Sequence, residues 1–419
     1  MSQQQNIHRD KNKIIITRMD HPACVSDFIR CIKDGINRGY TEFIIETKNI
    51  YSEDSNSLLV YPNACVPIAG IIDYYRENGF KFCFNFSEDE YLTQCDFTAP
   101  VAFLSGSNNI NPFDKVFYYD NSCQVAEYTK RCIDSISQRI ECESGVLDSL
   151  TWCINEVMDN VLTHSECNKG YVMGQLHDRS KHIAICIVDT GIGIYNSLKN
   201  TKHHPKKGID AISLSLQEGV GDGQGQGNGL FGLYKIVKEN RGRLSITSGN
   251  SSFMLYGDDT KKFERLPYID NKRPGTVVDF QIDLGHEVSL SSVFLSIGGY
   301  DGFDIRLDDY MVQEDSDLLV YDIYENCSGT ATRDAGRCLR KDIINIFTRR
   351  KQAIVLDFSG VATVSSSFID ELVAKLIIHY GLLRFNQIFA IRGMNETVSH
   401  LCERSVYMRI SEEWGLLKQ

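Results

Sequence analysis

No stretch of this 419-residue chain is long and apolar enough to span a bilayer. The best candidate, ELVAKLIIHYGLL, is too short and carries Lys375 and His379. The first residues, MSQQQNIHRDKNK, are polar and lack the apolar heart of a signal peptide. A surplus of positive charge is missing too. The formal net charge is −11, which argues against non-specific binding to nucleic acid or anionic lipid while leaving room for a local basic patch. The 14 cysteines contain no Cys-x-x-Cys pair, and most sit in apolar surroundings, as in AICIV around Cys186 and FCFNF around Cys83. Buried free thiols are expected from this, not a disulfide framework or a zinc site. These absences together predict a soluble cytoplasmic protein.

What is present is α/β alternation, in a chain long enough for two to four domains. Over residues 13–86, IIIT, TEFIIET and FKFCFNF read as strands. Between them VSDFIRCIKDGINRG reads as a helix ended by Gly39, and CVPIAGIIDYYRENG as one that tolerates Pro67 early and ends before Gly79. Residues 87–120 read as irregular, and SCQVAEYTKRCIDSISQRIE as a polar helix. Residues 145–285 form a second unit with a helix, the strand HIAICIV, a glycine-rich stretch, the helix LFGLYKIVKEN and strands in GRLSITS and GTVVDFQIDL. Residues 290–419 return to alternation: AIVLDFSG strand, SSSFIDELVAKLIIHYG helix, QIFAIRG strand, NETVSHLCERS helix. The order of elements in the two outer parts is the same, which raises the expectation of a duplicated module.

Three stretches in the middle carry chemistry. In TWCINEVMDNVLTHS, Glu156, Asn160 and Thr163 share one helix face, opposite Ile154, Val157, Met158, Val161 and Leu162. Alone, this is an ordinary amphipathic helix. HIAICIV then runs into Asp189-Thr190-Gly191-Ile192-Gly193-Ile194. An ionised Asp189 only accepts hydrogen bonds, so an exocyclic amine suits it, and Gly191 and Gly193 let the backbone approach a flat base. In GVGDGQGQGNGLFGLYKIVKEN seven glycines, from Gly219 to Gly232, fall before or at the start of one helix. Such a loop is costly in entropy unless a ligand orders it, and a helix N-terminus attracts phosphate. The embedded G-x-G-x-x-G, Gly227, Gly229 and Gly232, does not follow a strand directly, so a dinucleotide fold is disfavoured. There is no GK[ST], and the ordered VAIK–HRD–DFG set of eukaryotic-type kinases is missing.

In this order the three stretches resemble the GHKL superfamily of ATP-binding domains, found in DNA gyrase, histidine kinases and anti-sigma-factor kinases. EVMDN resembles its N box, DTGIGI its first glycine box and GQGNGLFGL its second; RPGTVVDFQIDL is similar to its closing strand. The resemblance covers residues 120–285. It implies ATP and Mg²⁺, with Asn160 on the metal and Glu156, one turn earlier, as the base that activates water or a hydroxyl. It further implies Asp189 on adenine, with Gly191, Gly193, Gly227, Gly229, Leu230, Gly232 and Thr276 around the nucleotide. The stretch between the glycine boxes would be a lid. Its Lys199, Lys202, Lys206 and Lys207 read as a solvated basic loop, any member of which is a candidate for the phosphates. A histidine kinase would need an acceptor His in the helix before the N box; 121–141 has none, and His177 and His164 lie after it.

The segment IVLDFSGVATVSSSFIDELVAKL resembles a STAS domain, the module of anti-anti-sigma factors, whose switch Ser sits at a helix N-terminus. Ser365, Ser366 and Ser367 occupy that place, with Ser366 as the candidate phosphosite. The usual Asp before the Ser is here Ser365, and the usual Gly after the pair is Phe368, a variant similar to a STAS-like subgroup; a capping role for the serines is favoured. The expected fold class is therefore α/β (α+β): a STAS-like domain over 1–110, a two-layer GHKL sandwich over 111–289 and a STAS-like domain over 290–419. Three functions fit. The first is a Mg-dependent ATPase switch acting through STAS-like interaction modules on a protein partner or in a homodimer; the others are a serine kinase for a STAS-type protein and a nucleotide-gated scaffold without turnover. Glu156 disfavours the last, because a site that only binds needs no base.

Overall fold

The computed structural model describes residues 6–48, 51–52, 55–58, 60–86, 91–103, 110–218, 220–221, 229–264, 273–289, 293, 312–315, 318–327, 329–330 and 332–413. They form a mixed α/β protein of two compact units. One unit draws on Met1–Ile133, Asp148–Asp283 and Val288–Tyr300, the other on Asp134–Leu147, Leu284–Glu287 and Asp301–Gln419.

The first unit opens with the hairpin β1 (Ile7–Asp10) and β2 (Lys13–Ile16), then α1 (Ala23–Asn37) and β3 (Glu42–Thr47). The short β4 (Tyr51–Ser52) and β5 (Ser55–Leu58) pair with each other, and α2 (Pro62–Glu77) and β6 (Lys81–Asn85) follow. The sheet order is β1-β2-β3-β6, antiparallel in the hairpin and parallel thereafter, as strand–helix–strand crossovers require. Helix α1 buries Cys24, Val25, Phe28, Ile29 and Ile32, one 3.6-period stripe. It stops before Gly39, whose φ of +88° an L side chain resists. Helix α2 starts with Pro62 at its first turn and is buried from Ala64 to Ile72 on every side, a pattern that needs a second apolar surface.

That surface is a larger sheet. Its chain order runs α3 (Tyr91–Gln94), β7 (Val101–Ala102), β8 (Phe117–Tyr119), α4 (Ser122–Arg139), α5 (Val146–His164), β9 (Gly170–His177) and β10 (His182–Asp189). It continues with α6 (Gly193–Leu198), α7 (Gly208–Ser215), α8 (Gly229–Glu239), β11 (Arg243–Ser248), β12 (Ser251–Tyr256), β13 (Asp259–Glu264) and β14 (Thr276–Asp283). The eight strands lie in the order β13-β12-β11-β14-β10-β9-β8-β7. In β14 the side chains alternate between faces. Helix α2 packs on β9, β10 and β14, and Tyr171, Met173, Cys186, Val188 and Val277 join the core of the β1–β6 part.

The second unit holds β15 (Val312–Asp315), β16 (Leu318–Asp322), α9 (Ile323–Asn326), α10 (Arg333–Arg350) and β17 (Ile354–Asp357). After them come α11 over 366–380, whose turn Asp370–Ala374 is π-helical, then α12 (Leu382–Ile388), β18 (Phe389–Arg392) and α13 (Glu396–Glu413). Its sheet runs β15-β16-β17-β18, antiparallel once and then parallel twice, which is the topology of the β1–β6 sheet. Helix α10 holds the 137–142 segment: the buried Asp342 accepts from Ser137 and Tyr321, and Asn345 donates to the Ser137 and Ile140 carbonyls at 3.1 Å each. Buried Glu371 meets Lys375 at 2.6 Å, Arg333 at 3.0 Å and Arg340 at 3.5 Å, so its charge is paired several times over.

Three readings change. The stretch 87–120 is not irregular throughout: it contains α3, β7 and β8, strands of two and three residues, too short for periodicity to register. Cys186 is buried, but Cys83 is exposed, because β6 alternates and turns Phe82 and Phe84 toward the core instead. In the α5 face, Ile154, Val157, Met158 and Val161 are buried while Leu162 is half-buried. No helix among the described residues is long and apolar enough to cross a membrane.

Candidate functional site

Helix α5 organises the candidate site, because two of the three motifs touch its polar side at different heights. Glu156 and Asn160 are half-buried, whereas Asp159 and Thr163 are exposed. The start of α8 comes close to the first pair. A Cβ at Gly229 would lie 2.7 Å from Glu156 Oε2 and 3.2 Å from Asn160 Nδ2, so a side chain there would push both groups aside. One turn on, a Cβ at Gly232 would run into the Trp152 ring of α5. Leu230 is half-buried in the same turn. Gly227 lies outside the described residues. Burial pushes the Glu156 carboxyl above its ordinary range, and the neighbouring charge of Asp159 adds to this.

The C-terminal end of α5 meets the turn after β10. The Ile192 N–H donates to the Ser165 carbonyl at 2.9 Å, and that carbonyl fills the space a Cβ of Gly191 would need. Gly193, at φ +72°, opens α6 with no room for a side chain beside Ser248 and Pro274. Ser248 Oγ accepts the Ile194 N–H at 2.8 Å, and the Gly275 N–H donates to the Gly191 carbonyl at 3.0 Å. The turn is thus fixed from α5, from the end of β11 and from the start of β14. Asp189 is buried at the last position of β10, opposite Thr276 of β14. Burial raises its carboxyl to about 6, while hydrogen bonds from the Gly191 N–H, at 2.8 Å, and from Thr276 pull the other way.

Asp189, Gly191, Gly193 and Thr276 therefore form one cluster, and Glu156, Asn160, Gly229 and Leu230 another, along one helix. Ser165 to Glu156 is about 13 Å by helical rise. Of the lysines between the two glycine stretches, Lys199 donates to Asn196 at 2.9 Å, and Lys202, Lys206 and Lys207 are exposed. Ser165 and Ser248 went unread in the sequence. Ser165 directly follows the helical motif, but a backbone carbonyl carries its contact, and side-chain chemistry does not signal that.

In the second unit, Ser365 caps α11 by accepting the Phe368 N–H at 3.0 Å, and its hydroxyl lies 3.1 Å from that of Ser367. Ser366 is exposed.

Residues 335–399, from α10 into α13, match the family described as STAS-like domain of unknown function (DUF4325). Among solved structures, the chain is similar to the Mycobacterial sensor histidine kinase MprB, at 17% identity and a TM-score of 0.23, over 41% of this chain and 98% of that one. No curated protein matches the chain. The second unit thus carries a STAS-like domain, and its Ser365 uses its hydroxyl to cap a helix.

Proposed function

We propose that the first unit is a GHKL-type site that binds Mg-ATP and hydrolyses it slowly, and that nucleotide state governs how the STAS-like domain engages a protein partner, in this chain or in a second copy of it. The observation that supports this most is the double use of α5, with Glu156 and Asn160 beside the Gly229 backbone and Ser165 against the Asp189–Gly193 turn. The distance along the helix suits an extended nucleoside triphosphate, with the adenine amine at Asp189. Gly229 keeps the space next to Glu156 and Asn160 free of a side chain, as close approach of phosphates requires. Asn160 would give its amide oxygen to the metal, which neutralises phosphate charge and aligns the terminal phosphoryl group when bound. Glu156, partly desolvated, has the raised basicity that suits a general base accepting a proton from the attacking water.

A serine kinase reading is favoured by one feature, the exposed Ser366 at the start of α11. Against it stand the missing Asp, replaced by Ser365 with its hydroxyl engaged, and the bulky, buried Phe368. One experiment separates them. The protein is incubated with γ-labelled ATP and Mg²⁺, and free phosphate and protein-bound label are followed. Slow phosphate release with little stable label is expected, and Glu156→Ala should keep nucleotide affinity while lowering release about a hundredfold or more. Stoichiometric label lost in Ser366→Ala would replace the ATPase by a kinase. Normal turnover in Glu156→Ala would reduce that helix face to solvated surface.

A further inference from the structure

The larger sheet has a second concavity, at the other end of β10 from Asp189. It is a cavity of about 470 Å³, open on one side, between the start of α2 and the sheet face on which α2 packs. Strand alternation puts Gln175 and His177 of β9, His182 and Ala184 of β10, Asp279 and Gln281 of β14, and Arg243 of β11 on this face. Toward the Asp189 end the same face is apolar, with Met173, Cys186, Val188 and Val277 under α2. The polar half therefore begins where the helix stops covering the sheet.

At the base of the cavity stands Asp279, only 6% exposed. Asn63, at the start of α2, donates its Nδ2 to Asp279 Oδ2 at a long 3.4 Å. Asp279 Oδ1 and Asn63 Oδ1 are both buried and have no hydrogen-bond partner among the described residues. A buried unmet acceptor costs about 1–3 kcal/mol, and more when charged. With Asp279 ionised, both orphans are acceptors on adjacent side chains, so a ligand that completes both donates at least twice. An ammonium, with three N–H groups, does so. Arg241 and Arg243 line the mouth and are exposed, and the His177 and His182 rings stack 4.3 Å apart beside them. Two guanidinium groups at the mouth disfavour a simple cation and suit a carboxylate.

We infer that this cavity is a binding site for a small zwitterion of the α-amino acid class, with its ammonium on Asp279 and Asn63 and its carboxylate toward Arg241 and Arg243. The inference is independent of the nucleotide reading, since no residue is shared. The cavity volume lies within the range of small-molecule sites and accommodates a full side chain beside the two charged ends.

The test uses the full chain and the twenty free L-amino acids, each at millimolar concentration, in thermal-shift screening followed by calorimetry on any that raise the melting temperature. At least one is expected to bind saturably. Its deaminated analogue should bind at least about tenfold more weakly, as should the same amino acid to Asp279→Asn, since each loses a charged hydrogen bond. Arg243→Gln, an exposed position where folding is not at stake, should weaken the amino acid without weakening its decarboxylated amine. Absence of binding by all twenty overturns the inference. So does equal affinity of the deaminated analogue, or undiminished binding in Arg243→Gln.

Discussion

Asp189 and Asp279 show how much a single carboxylate depends on its neighbours. Both end up buried in the larger sheet, and burial is the leading cause of the rise in each. The Asp279 carboxyl reaches about 7 and that of Asp189 about 6; at Asp279 the Asn63 bond and the Arg243 charge oppose the burial, at Asp189 the Gly191 and Thr276 hydrogen bonds. Between the unfolded value, 3.8, and about 7 the folded chain holds a proton on Asp279 that the unfolded chain has released. More protons on the folded side mean that stability falls as pH rises across that window. The contribution is complete below the unfolded value and gone above the folded one. Asp279→Asn removes the titration. Its stability advantage over the parent in urea unfolding is therefore expected to be larger near pH 8 than near pH 5, the gap widening by on the order of 3 kcal/mol at most. A variant equally destabilised at both pH values would show that Asp279 is not raised. The sequence made Asp189 conspicuous because it ends an apolar strand before two glycines. Asp279 lies in VVDFQ, a charge in mid-strand alternation that has no local signal of a site. Its partner Asn63 is 216 positions away, and nothing local announces such a contact.

At the scale of elements, the glycines of α8 are read best as packing devices for α5. Two effects oppose each other at Gly232. Replacement by Ala would gain up to about 1 kcal/mol of helix propensity. The added Cβ, however, falls within the buried Trp152 ring, and overpacking in a core costs typically about 1–3 kcal/mol. The ring is buried, so the second effect is expected to win. Gly232→Ala should lower the urea midpoint by the equivalent of about 1–2 kcal/mol and alter the Trp fluorescence of the folded state. A midpoint at or above the parent value would mean that α8 moves away from α5 easily, and that the approach of Gly229 to Glu156 is loose. Helices and long strands were legible from periodicity: α1, α2, α5, β3 and β10 fall where apolar spacing placed them. The spacing of glycines was legible as well, but not their partners. The β9, β12 and β13 strands went unread, as did α12 ahead of β18, since GYVMGQLH and LLRFNQI carry no clear period and gain their structure from the neighbours they pair or pack with.

For the molecule as a whole, the likeness of the two outer parts is a likeness of topology: hairpin, helix, strand, helix, strand, in sheets of the same order. Their environments differ. The C-terminal part keeps its own core, built from residues such as Leu356, Phe368, Leu372 and Phe389. The N-terminal part shares one, because α2 lies with its far side on β9, β10 and β14. The apolar run over Ala64–Ile72 already contained this in the sequence, as a helix hydrophobic on all sides, which demands cover on all sides. What it could not state was which surface gives the cover. A chain beginning at residue 111 would leave Tyr171, Met173, Cys186, Val188 and Val277 facing water. Full burial of one such side chain is worth about 1.5–3 kcal/mol. Five of them amount to roughly 10 kcal/mol, comparable to the whole stability of an ordinary domain, about 5–15 kcal/mol. The 111–419 chain is therefore expected to lose cooperative melting of its first unit, to bind a hydrophobic dye and to aggregate. Adding back residues 1–110 as a separate polypeptide should restore part of the transition, because the missing cover is a packed surface and not a covalent tie. A sharp, dye-free melt of 111–419 at the temperature of the full chain would show that the sheet stands alone, and that α2 is an attachment to it instead of half of its core.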